Sequence, residues 1–304
     1  MHIKRDAHQV GVKEEVQAGG LNLPIRNELL STHLHIGVLQ SSQQPYQRNI
    51  IMIILMLLLG TLLPHLTLTE YANVRIINGT EAKPHSRPYM VSVQKNGHHF
   101  CGGFLVSEQF VITAAHCFIY GDKLKVVVGA HELNRKSDPI AVKFYHIHPD
   151  YNSKELLNDI MILQLNKTIE YNKTIKSIPI PEKDKPIEAK TKCSVAGWGA
   201  QKTSGSASKQ LMEVNVTIFD DEECQKKWKN QTTSSMVCTF GKGGFCQGDS
   251  GGPLVCNGTA VGVVSFNENN NCDKPTRPNV YTRISKFLTW INAILKGVKQ
   301  DYDY

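Results

Sequence analysis

The sequence is poor in three features that would each point to a particular class of protein. It has no cysteine before Cys101, no two cysteines spaced as C-x-x-C, and no apolar run of the roughly 20 residues that a membrane-spanning helix needs. The cysteine spacing argues against the common zinc modules, and the short apolar runs exclude a polytopic membrane protein. With 41% hydrophobic and 20% charged residues among 304, the chain is neither disordered nor collagen-like. It also contains no internal repeat, phosphate-binding loop or nucleic-acid-binding module.

The cysteines that are present form an even set. Even numbers without metal-binding spacing favour disulfides, and disulfides imply an oxidising compartment. The eight are Cys101, Cys117, Cys193, Cys224, Cys238, Cys246, Cys256 and Cys272.

A short apolar segment, residues 49–63, ends just before Pro64. It is too short to span a bilayer and is typical of the apolar part of a secretory signal peptide. The alternative is a signal anchor that leaves the preceding residues in the cytoplasm. We expect an N-terminal extension, disordered or a gene-model artefact, at 1–49, a signal-like segment at 50–69, a short propeptide at 70–75 and the folded domain at 76–304.

The folded region has the pattern of an all-β protein. Met90–Gln94, Ala141–Tyr145 and Met212–Phe219 alternate between apolar and polar residues, which is typical of strands. Residues 253–265 read as a hairpin that turns at Asn257-Gly258. Many short strands predict a sandwich or closed barrels. One helix is predicted near the C-terminus, from Lys286 to Val298 with Ser285 as its cap.

Three segments carry the residues of a nucleophilic site. Thr113–Cys117 contains His116, Asn158–Leu163 contains Asp159, and the glycine-rich segment 248–253 contains Ser250. Taken singly, the first two would be structural. Together they supply what a serine needs to become a nucleophile, which is a base within hydrogen-bonding reach and a third group that orients the base.

These segments, in the order His, Asp, Ser, resemble the chymotrypsin-like (trypsin-fold) serine proteases over most of the chain. The resemblance implies two antiparallel six-stranded Greek-key β-barrels with a C-terminal α-helix. It implies that His116 is the general base, Asp159 orients it and Ser250 attacks the substrate. The amides of Gly248 and Ser250 would form the oxyanion hole, and Ser265 would support Asp159.

The same resemblance implies a disulfide pairing and a latent precursor. The implied pairs are Cys101–Cys117, Cys193–Cys256, Cys224–Cys238 and Cys246–Cys272. Arg75 resembles the family's activation site, so that cleavage would free the amino group of Ile76 to pair with Asp249. The alternative is that Arg75 is an ordinary basic residue before a strand, with no role in activation.

The segment Ile76–Met90 closely resembles the start of granzymes and mast-cell proteases, which are secreted or stored in secretory granules. Two features depart from that branch, namely the basic Arg75 and the Cys246–Cys272 bridge. Expected partners are protein or peptide substrates, an activating trypsin-like protease, sulfated proteoglycan and serpin-type inhibitors. The basic chain, with net charge +7, suits sulfated proteoglycan. Lys226, Lys227 and Lys229 form one local cluster, although a solvated charged face is the favoured interpretation of any single cluster. We expect a monomer without cofactor, metal or nucleic acid.

The pocket for the residue before the scissile bond is expected to be neutral. Trypsin-like members have an aspartate at the position that Gly244 occupies here. The resemblance assigns the pocket to Gly244, Phe245, Ser265, Phe266, Asn267 and Asn279. It predicts a medium apolar or polar preference rather than lysine or arginine.

Six N-x-[ST] sequons are candidate glycosylation sites, at Asn78, Asn166, Asn172, Asn215, Asn230 and Asn257. The leading hypothesis is therefore a secreted serine endopeptidase. A catalytically inactive homologue that acts as a binding protein, and a membrane-tethered protease, are the alternatives. The complete His116, Asp159 and Ser250 set, together with the glycine at 248, favours the enzyme.

Overall fold

A computed structural model describes Met52 and residues 76–135, 137–269 and 271–297. The account below concerns the unit formed by residues 70–304. The expected extension, signal-like segment and propeptide, with Arg75, lie outside the described residues apart from the exposed Met52. No helix within the described ranges combines the length and apolarity needed to cross a membrane.

The first barrel follows a two-residue strand, β1 (Thr80–Glu81). Its strands are β2 (Met90–Lys95), β3 (His98–Leu105), β4 (Phe110–Thr113), β5 (Lys125–Val128), β6 (Ile140–Ile147) and β7 (Met161–Leu165). They close in the order β2-β3-β4-β7-β6-β5 with antiparallel pairing throughout. Closure leaves no unpaired sheet edge, and the β-branched and aromatic residues of these strands fill the interior.

The second barrel is built from the C-terminal half of the domain. Its strands are β8 (Lys192–Gly197), β9 (Met212–Phe219), β10 (Met236–Thr239), β11 (Pro253–Cys256), β12 (Thr259–Phe266) and β13 (Asn279–Arg283). They follow the order β9-β10-β13-β12-β11-β8, and pairing of β8 with β9 closes the ring. The first strand, β1, adds to the free end of β9 at Glu213 and Met212. The predicted pair of six-stranded barrels is confirmed.

Local sequence signals account for two connections in this barrel. The predicted hairpin is present, because β11 and β12 are joined at Asn257 and Gly258, which both have positive φ. Between β9 and β10, the helix α1 (Asp221–Lys227) begins after Asp220, whose side chain accepts a hydrogen bond from the Glu223 amide at 3.0 Å.

Four disulfides tie these elements together, and the described part of the chain has no free cysteine. The bonds are Cys101–Cys117, Cys193–Cys256, Cys224–Cys238 and Cys246–Cys272, which is the pairing that the resemblance implied. Cys193 and Cys256 already face each other on the paired strands β8 and β11, so this bond reinforces a contact that the sheet makes.

The C-terminal helix differs from its prediction at both ends, since it begins later than Lys286 and ends before Val298. A 3₁₀ turn over Ile284–Phe287 comes first, and the helix α2 spans Leu288–Leu295. Ser285 is not its cap, because the Ser285 hydroxyl donates instead to Asp184 at 2.7 Å. Its apolar face packs inward, since Trp290, Ile291 and Ile294 are buried against the same core cluster as the first barrel.

The packing of α2 predicts a large difference between two neighbouring residues. Ile291 is fully buried, and Asn292 is exposed. Ile291→Ala is expected to lower the free energy of unfolding by about 2–5 kcal/mol, because it removes apolar contacts and leaves a cavity. Asn292→Ala, the matched control, should change it by less than about 0.5 kcal/mol. Urea unfolding followed by tryptophan fluorescence measures both. Equal effects would show that α2 does not pack as described.

Candidate active site

His116 and Asp159 meet because their two strands are neighbours. Thr113, the last residue of β4, pairs with Met161, the first residue of β7. His116 lies in a short 3₁₀ helix just after β4, and Asp159 lies just before β7. The two side chains therefore emerge at the same end of one strand pair, 43 residues apart in sequence.

Asp159 is fully buried and accepts three hydrogen bonds at its carboxylate. The His116 amide donates to Oδ1 at 2.9 Å, His116 Nδ1 lies 2.7 Å from Oδ2, and the Ser265 hydroxyl donates to Oδ2 at 2.5 Å. An ionised carboxylate can only accept, so the proton of a neutral His116 ring sits on Nδ1. Its Nε2 then carries the lone pair, and a quarter of the side chain is exposed.

Ser250 is held in a tight turn between β10 and β11 that leans on the first barrel. The Gly102 amide donates to the Ser250 carbonyl at 2.8 Å. The next residue, Gly251, has φ +81°, and a β-carbon there would collide with the Thr113 hydroxyl and the Gly102 carbonyl. Only glycine fits this position, for both backbone and steric reasons.

The turn leaves two backbone donors available. Within the described ranges, the amides of Gly248 and Ser250 donate to no protein acceptor. The Asp249 amide between them bonds to Cys246 O at 3.1 Å, and the Gly248 carbonyl accepts from the ring of His99, whose Nε2 lies 2.9 Å away. Two free N–H groups beside a serine can bind an oxygen that carries negative charge.

His99 and Ser92 support the turn around Gly248, and the sequence analysis did not single them out. The Gly248 carbonyl only accepts, so His99 Nε2 carries the proton, and Nδ1 accepts from the Ser92 hydroxyl at 2.9 Å. Burial lowers the pKa of His99 to about 4, so the ring is neutral at physiological pH. The alternation of β3 gives no signal for this role, since the partner lies 149 residues away.

Asp249 is a buried acid without a cationic partner among the described residues. Its carboxylate is fully buried and accepts from the Gly199 amide at 2.7 Å and the Cys246 amide at 3.0 Å. Burial raises its pKa to about 7 in this uncleaved chain, because desolvation outweighs the two hydrogen bonds. Ile76 is also fully buried, and its neighbour Ile77 bridges to Gly244.

Four of the six predicted pocket residues contact one another in two pairs, Gly244 with Asn279 and Phe245 with Asn267. A β-carbon on Gly244 would collide with the side-chain amide of Asn279, which is itself buried. Asn267 Nδ2 donates to the carbonyl of Phe245 at 3.0 Å, and the Phe245 ring packs edge-on against Tyr281 with centroids 5.2 Å apart. No acidic side chain takes part in these contacts.

The remaining two predicted pocket residues are neighbours on β12. Phe266 packs edge-on against Trp228 with ring centroids 5.2 Å apart, and Ser265 lies one residue earlier on β12.

In the described part of the chain, the one cluster with metal-ligand spacing is Cys101, His116 and Cys117. Both of its sulfurs are consumed by a disulfide, so it offers no thiolate to a metal.

The buried, neutral His99 predicts a pH-dependent contribution to stability. Its folded pKa, about 4, lies below the unfolded value, so its contribution is complete above about pH 6.5 and is lost as the pH falls through about 4. His99→Gln should remove this contribution, and His98→Gln, at the exposed neighbour, should not. Urea unfolding between pH 4 and pH 7 measures the difference from the native chain.

The comparison must be a difference between variants. Asp249 contributes with the opposite sign, since its pKa is raised to about 7 and stability from it falls as the pH rises from about 4 to 7. An identical pH dependence in His99→Gln and the native chain would contradict the buried, neutral His99.

Comparison with known proteins agrees with this geometry. The family described as Trypsin matches residues 76–291. Duodenase-1 of Bos taurus is 40% identical over 82% of this chain and 98% of its own length, and mast cell protease 3 of Ovis aries is 41% identical over 74% and 91%. Granzyme B of Rattus norvegicus is 39% identical over 73% and 91%.

A solved structure has the same fold. Neuropsin, described as a serine protease expressed in the limbic system of mouse brain, superposes with a TM-score of 0.67 at 32% identity, covering 71% of this chain and 98% of its own. With the two barrels, the sequence family and the similarity to duodenase, mast cell protease and granzyme taken together, this chain belongs to the trypsin family of serine proteases, in the granzyme and mast-cell protease branch.

Proposed function

We propose that the chain is a secreted serine endopeptidase that is made as a latent precursor and activated by cleavage after Arg75. The observation that carries the proposal is the contact of His116 with the buried Asp159. The turn that holds Ser250 is close, since the Ser250 carbonyl oxygen lies 3.8 Å from Sγ of Cys117. The histidine has its proton fixed on Nδ1, and two free amides stand next to the serine. These are the parts that acyl transfer requires.

In the proposed acylation step, Ser250 Oγ attacks the scissile carbonyl carbon and its proton passes to His116 Nε2. Asp159 stabilises the imidazolium through the Nδ1–H bond without taking the proton. The carbonyl oxygen becomes an oxyanion, and the free amides of Gly248 and Ser250 donate to it. The C–N bond then breaks as His116 returns the proton to the leaving amine, and an acyl-enzyme remains.

Deacylation repeats these steps with water in place of the serine. His116 accepts a proton from water, the resulting hydroxide attacks the acyl carbon, and Ser250 Oγ leaves with the proton that His116 returns. The His99 bond to the Gly248 carbonyl supports this scheme, because it fixes the peptide group between Gly248 and Asp249, which lies between the two amide donors. Loss of one oxyanion donor typically costs about 10²–10³ in rate.

Latency is supported by the unpaired acid at Asp249. A buried carboxyl without a cation is costly, and a new ammonium group at Ile76 would supply the missing charge. In the intact chain Ile76 has a peptide nitrogen, which carries no charge. Cleavage after Arg75 would therefore stabilise the turn that holds Ser250. In this proposal residues 70–75 are a propeptide and residues 76–304 are the protease domain.

The neutral pocket supports a preference for a medium apolar or polar residue before the scissile bond. Asn279 fills the space over Gly244, where a longer cationic side chain would otherwise reach, and the Asn267 amide is already bonded to Phe245. A lysine or arginine would bury its charge there without an acidic partner, which is unfavourable.

Secretion, granule storage and the expected partners belong to the same proposal. The support comes from the names of two relatives, "mast cell protease" and "granzyme", which refer to mast cells and to granules. Sulfated proteoglycan and serpin-type inhibitors remain proposed partners, as does a trypsin-like activator. The intact His116–Asp159 contact favours the enzyme over the second candidate, an inactive binding homologue.

Ser250→Ala tests the enzyme proposal. With a verified Ile76 N-terminus, the native chain is expected to cleave a peptide library, and the variant should lose at least about 10³-fold in kcat/KM because the nucleophile is gone.

Arg75→Gln tests latency. When it is exposed to the trypsin-like activator that cleaves the native precursor, it should remain inactive. Hydrolysis is followed by mass spectrometry of the products.

The fold of each variant is checked by disulfide mapping and circular dichroism. A correctly folded chain with the Ile76 terminus that cleaves nothing would favour the binding-protein alternative. Equal activity before and after cleavage would contradict latency and leave the endopeptidase in place.

The pocket is tested by rebuilding its floor. Gly244→Asp alone would collide with Asn279, so the double variant Gly244→Asp, Asn279→Gly is expected to gain at least about tenfold for arginine before the scissile bond. Asn279→Gly alone, the matched control, should enlarge the pocket and shift the preference toward larger apolar residues. Cleavage profiles measure both. A native profile dominated by arginine and lysine would contradict the neutral pocket.

A further inference from the structure

The six sequon asparagines differ in what their side chains do. All six are exposed. Across the described residues, Asn78 is the only one of the six whose amide nitrogen donates a hydrogen bond to another part of the protein. Asn172 uses its oxygen in a local turn with Thr174 and Ile175, which leaves its nitrogen toward solvent. The nitrogen is the atom to which carbohydrate would be attached.

The contact of Asn78 lies where the N-terminal segment docks on the pocket loop. Asn78 Nδ2 donates to the carbonyl of Lys242. One residue before it, Ile77 bridges to Gly244, whose amide donates to the Ile77 carbonyl at 3.3 Å. Gly244 is the floor of the proposed pocket. The side chain of Asn78 thus extends the line of contacts that joins residues 76–78 to the loop at 242–244.

This interface has little spare room. A β-carbon on Gly243 would lie 2.8 Å from the Ile77 carbonyl oxygen and 2.6 Å from Cγ2 of Val214. Asn78 itself adopts φ +57°, a left-handed conformation that asparagine tolerates, and the Gly79 amide closes the turn onto Ile76 at 2.6 Å. The direction of the Asn78 side chain is therefore set by a tight turn, and its amide points at the loop.

We propose that Asn78 is a glycosylation site at which carbohydrate prevents the N-terminal segment from docking, so that chains glycosylated there remain inactive after cleavage. This inference rests on the proposed function. In the modification, Nδ2 attacks C1 of a polyprenyl diphosphate-linked oligosaccharide, the bond from C1 to the diphosphate oxygen breaks, and Nδ2 loses one proton. A sugar ring then replaces one of the two protons of the nitrogen that faces Lys242.

The order of events divides the chains into two populations, one glycosylated at Asn78 and one unmodified there. A sequon is modified on the emerging chain, before residues 76–78 have docked, so the sugar meets no obstacle at that stage. In an active chain residues 76–78 must pack against 242–244 as they do in this structure, and the nitrogen with its bulky substituent would lie at that contact. Removal of the propeptide would be sufficient for activity only in chains that escaped modification at Asn78.

The sequon can be removed without touching the amide. Thr80 is exposed and has no side-chain hydrogen bond in the described structure, although its backbone faces Glu213 in β1. Thr80→Ala abolishes the sequon and keeps Asn78, and Thr80→Ser keeps both. Thr168→Ala is the matched control, since it removes the sequon of the exposed Asn166, whose side chain makes no described contact.

The experiment expresses these chains in a secretory eukaryotic cell, cleaves them after Arg75 and maps carbohydrate at Asn78 by peptide mass. Active sites are then titrated with a serine-reactive phosphonate. We expect the glycosylated fraction of the native chain and of Thr80→Ser to titrate at least about tenfold fewer sites than the unmodified fraction. Thr80→Ala should titrate fully, and Thr168→Ala should behave like the native chain.

A second variant tests the amide contact without carbohydrate. Asn78→Asp removes the sequon and replaces the donor with an acceptor that faces the Lys242 carbonyl. We expect kcat/KM to fall about tenfold relative to Thr80→Ala, with the disulfides intact. Absence of carbohydrate at Asn78 in the native chain, or equal titration of both fractions, would overturn the inference. Inactive Thr80→Ala with an Ile76 terminus would instead refute the proposed function, and the inference with it.

Discussion

The buried carboxylate of Asp159 binds donors from both barrels and so helps to hold them together. A charge without solvent must be matched by hydrogen bonds, and the matching donors come from both halves of the domain. His116 belongs to the first barrel and Ser265 to the second, and the Thr282 hydroxyl of β13 donates to the Asp159 carbonyl at 2.8 Å. The same bonds that satisfy Asp159 set the position and the tautomer of His116. The position of His116 and the stability of the interface between the barrels therefore depend on the same hydrogen bonds.

The parts of this arrangement that come from neighbouring residues were predictable. The alternation in residues 90–94, 141–145 and 212–219 is a local property, and so is the Asn257-Gly258 turn, and all of these became the expected elements. The six-stranded barrels and the implied disulfide pairs came from resemblance to a family, since no local pattern specifies which strands meet.

What the sequence did not reveal depends on contacts between distant segments. Ser285 has the right chemistry to cap a helix, but Asp184, 101 residues earlier, takes its hydroxyl, and the helix begins at Leu288 instead. His99 is an unremarkable strand residue until the fold brings Gly248 to its ring. The resemblance had already assigned Asn279 and Gly244 to one pocket, and the structure adds only that a β-carbon on Gly244 would collide with the Asn279 amide.

The short strand β1 has a consequence for how the N-terminal segment can vary. The segment from Ile77 to Thr80 is fixed at one end by the bridge of Ile77 to Gly244 and at the other by the pairing of Thr80 with Glu213. Two residues connect these anchor points, so the length of the segment is fixed. A single insertion would reverse which face of β1 each side chain occupies, or would push residue 76 past its buried position. The stretch can therefore exchange side chains during evolution far more readily than it can change in length.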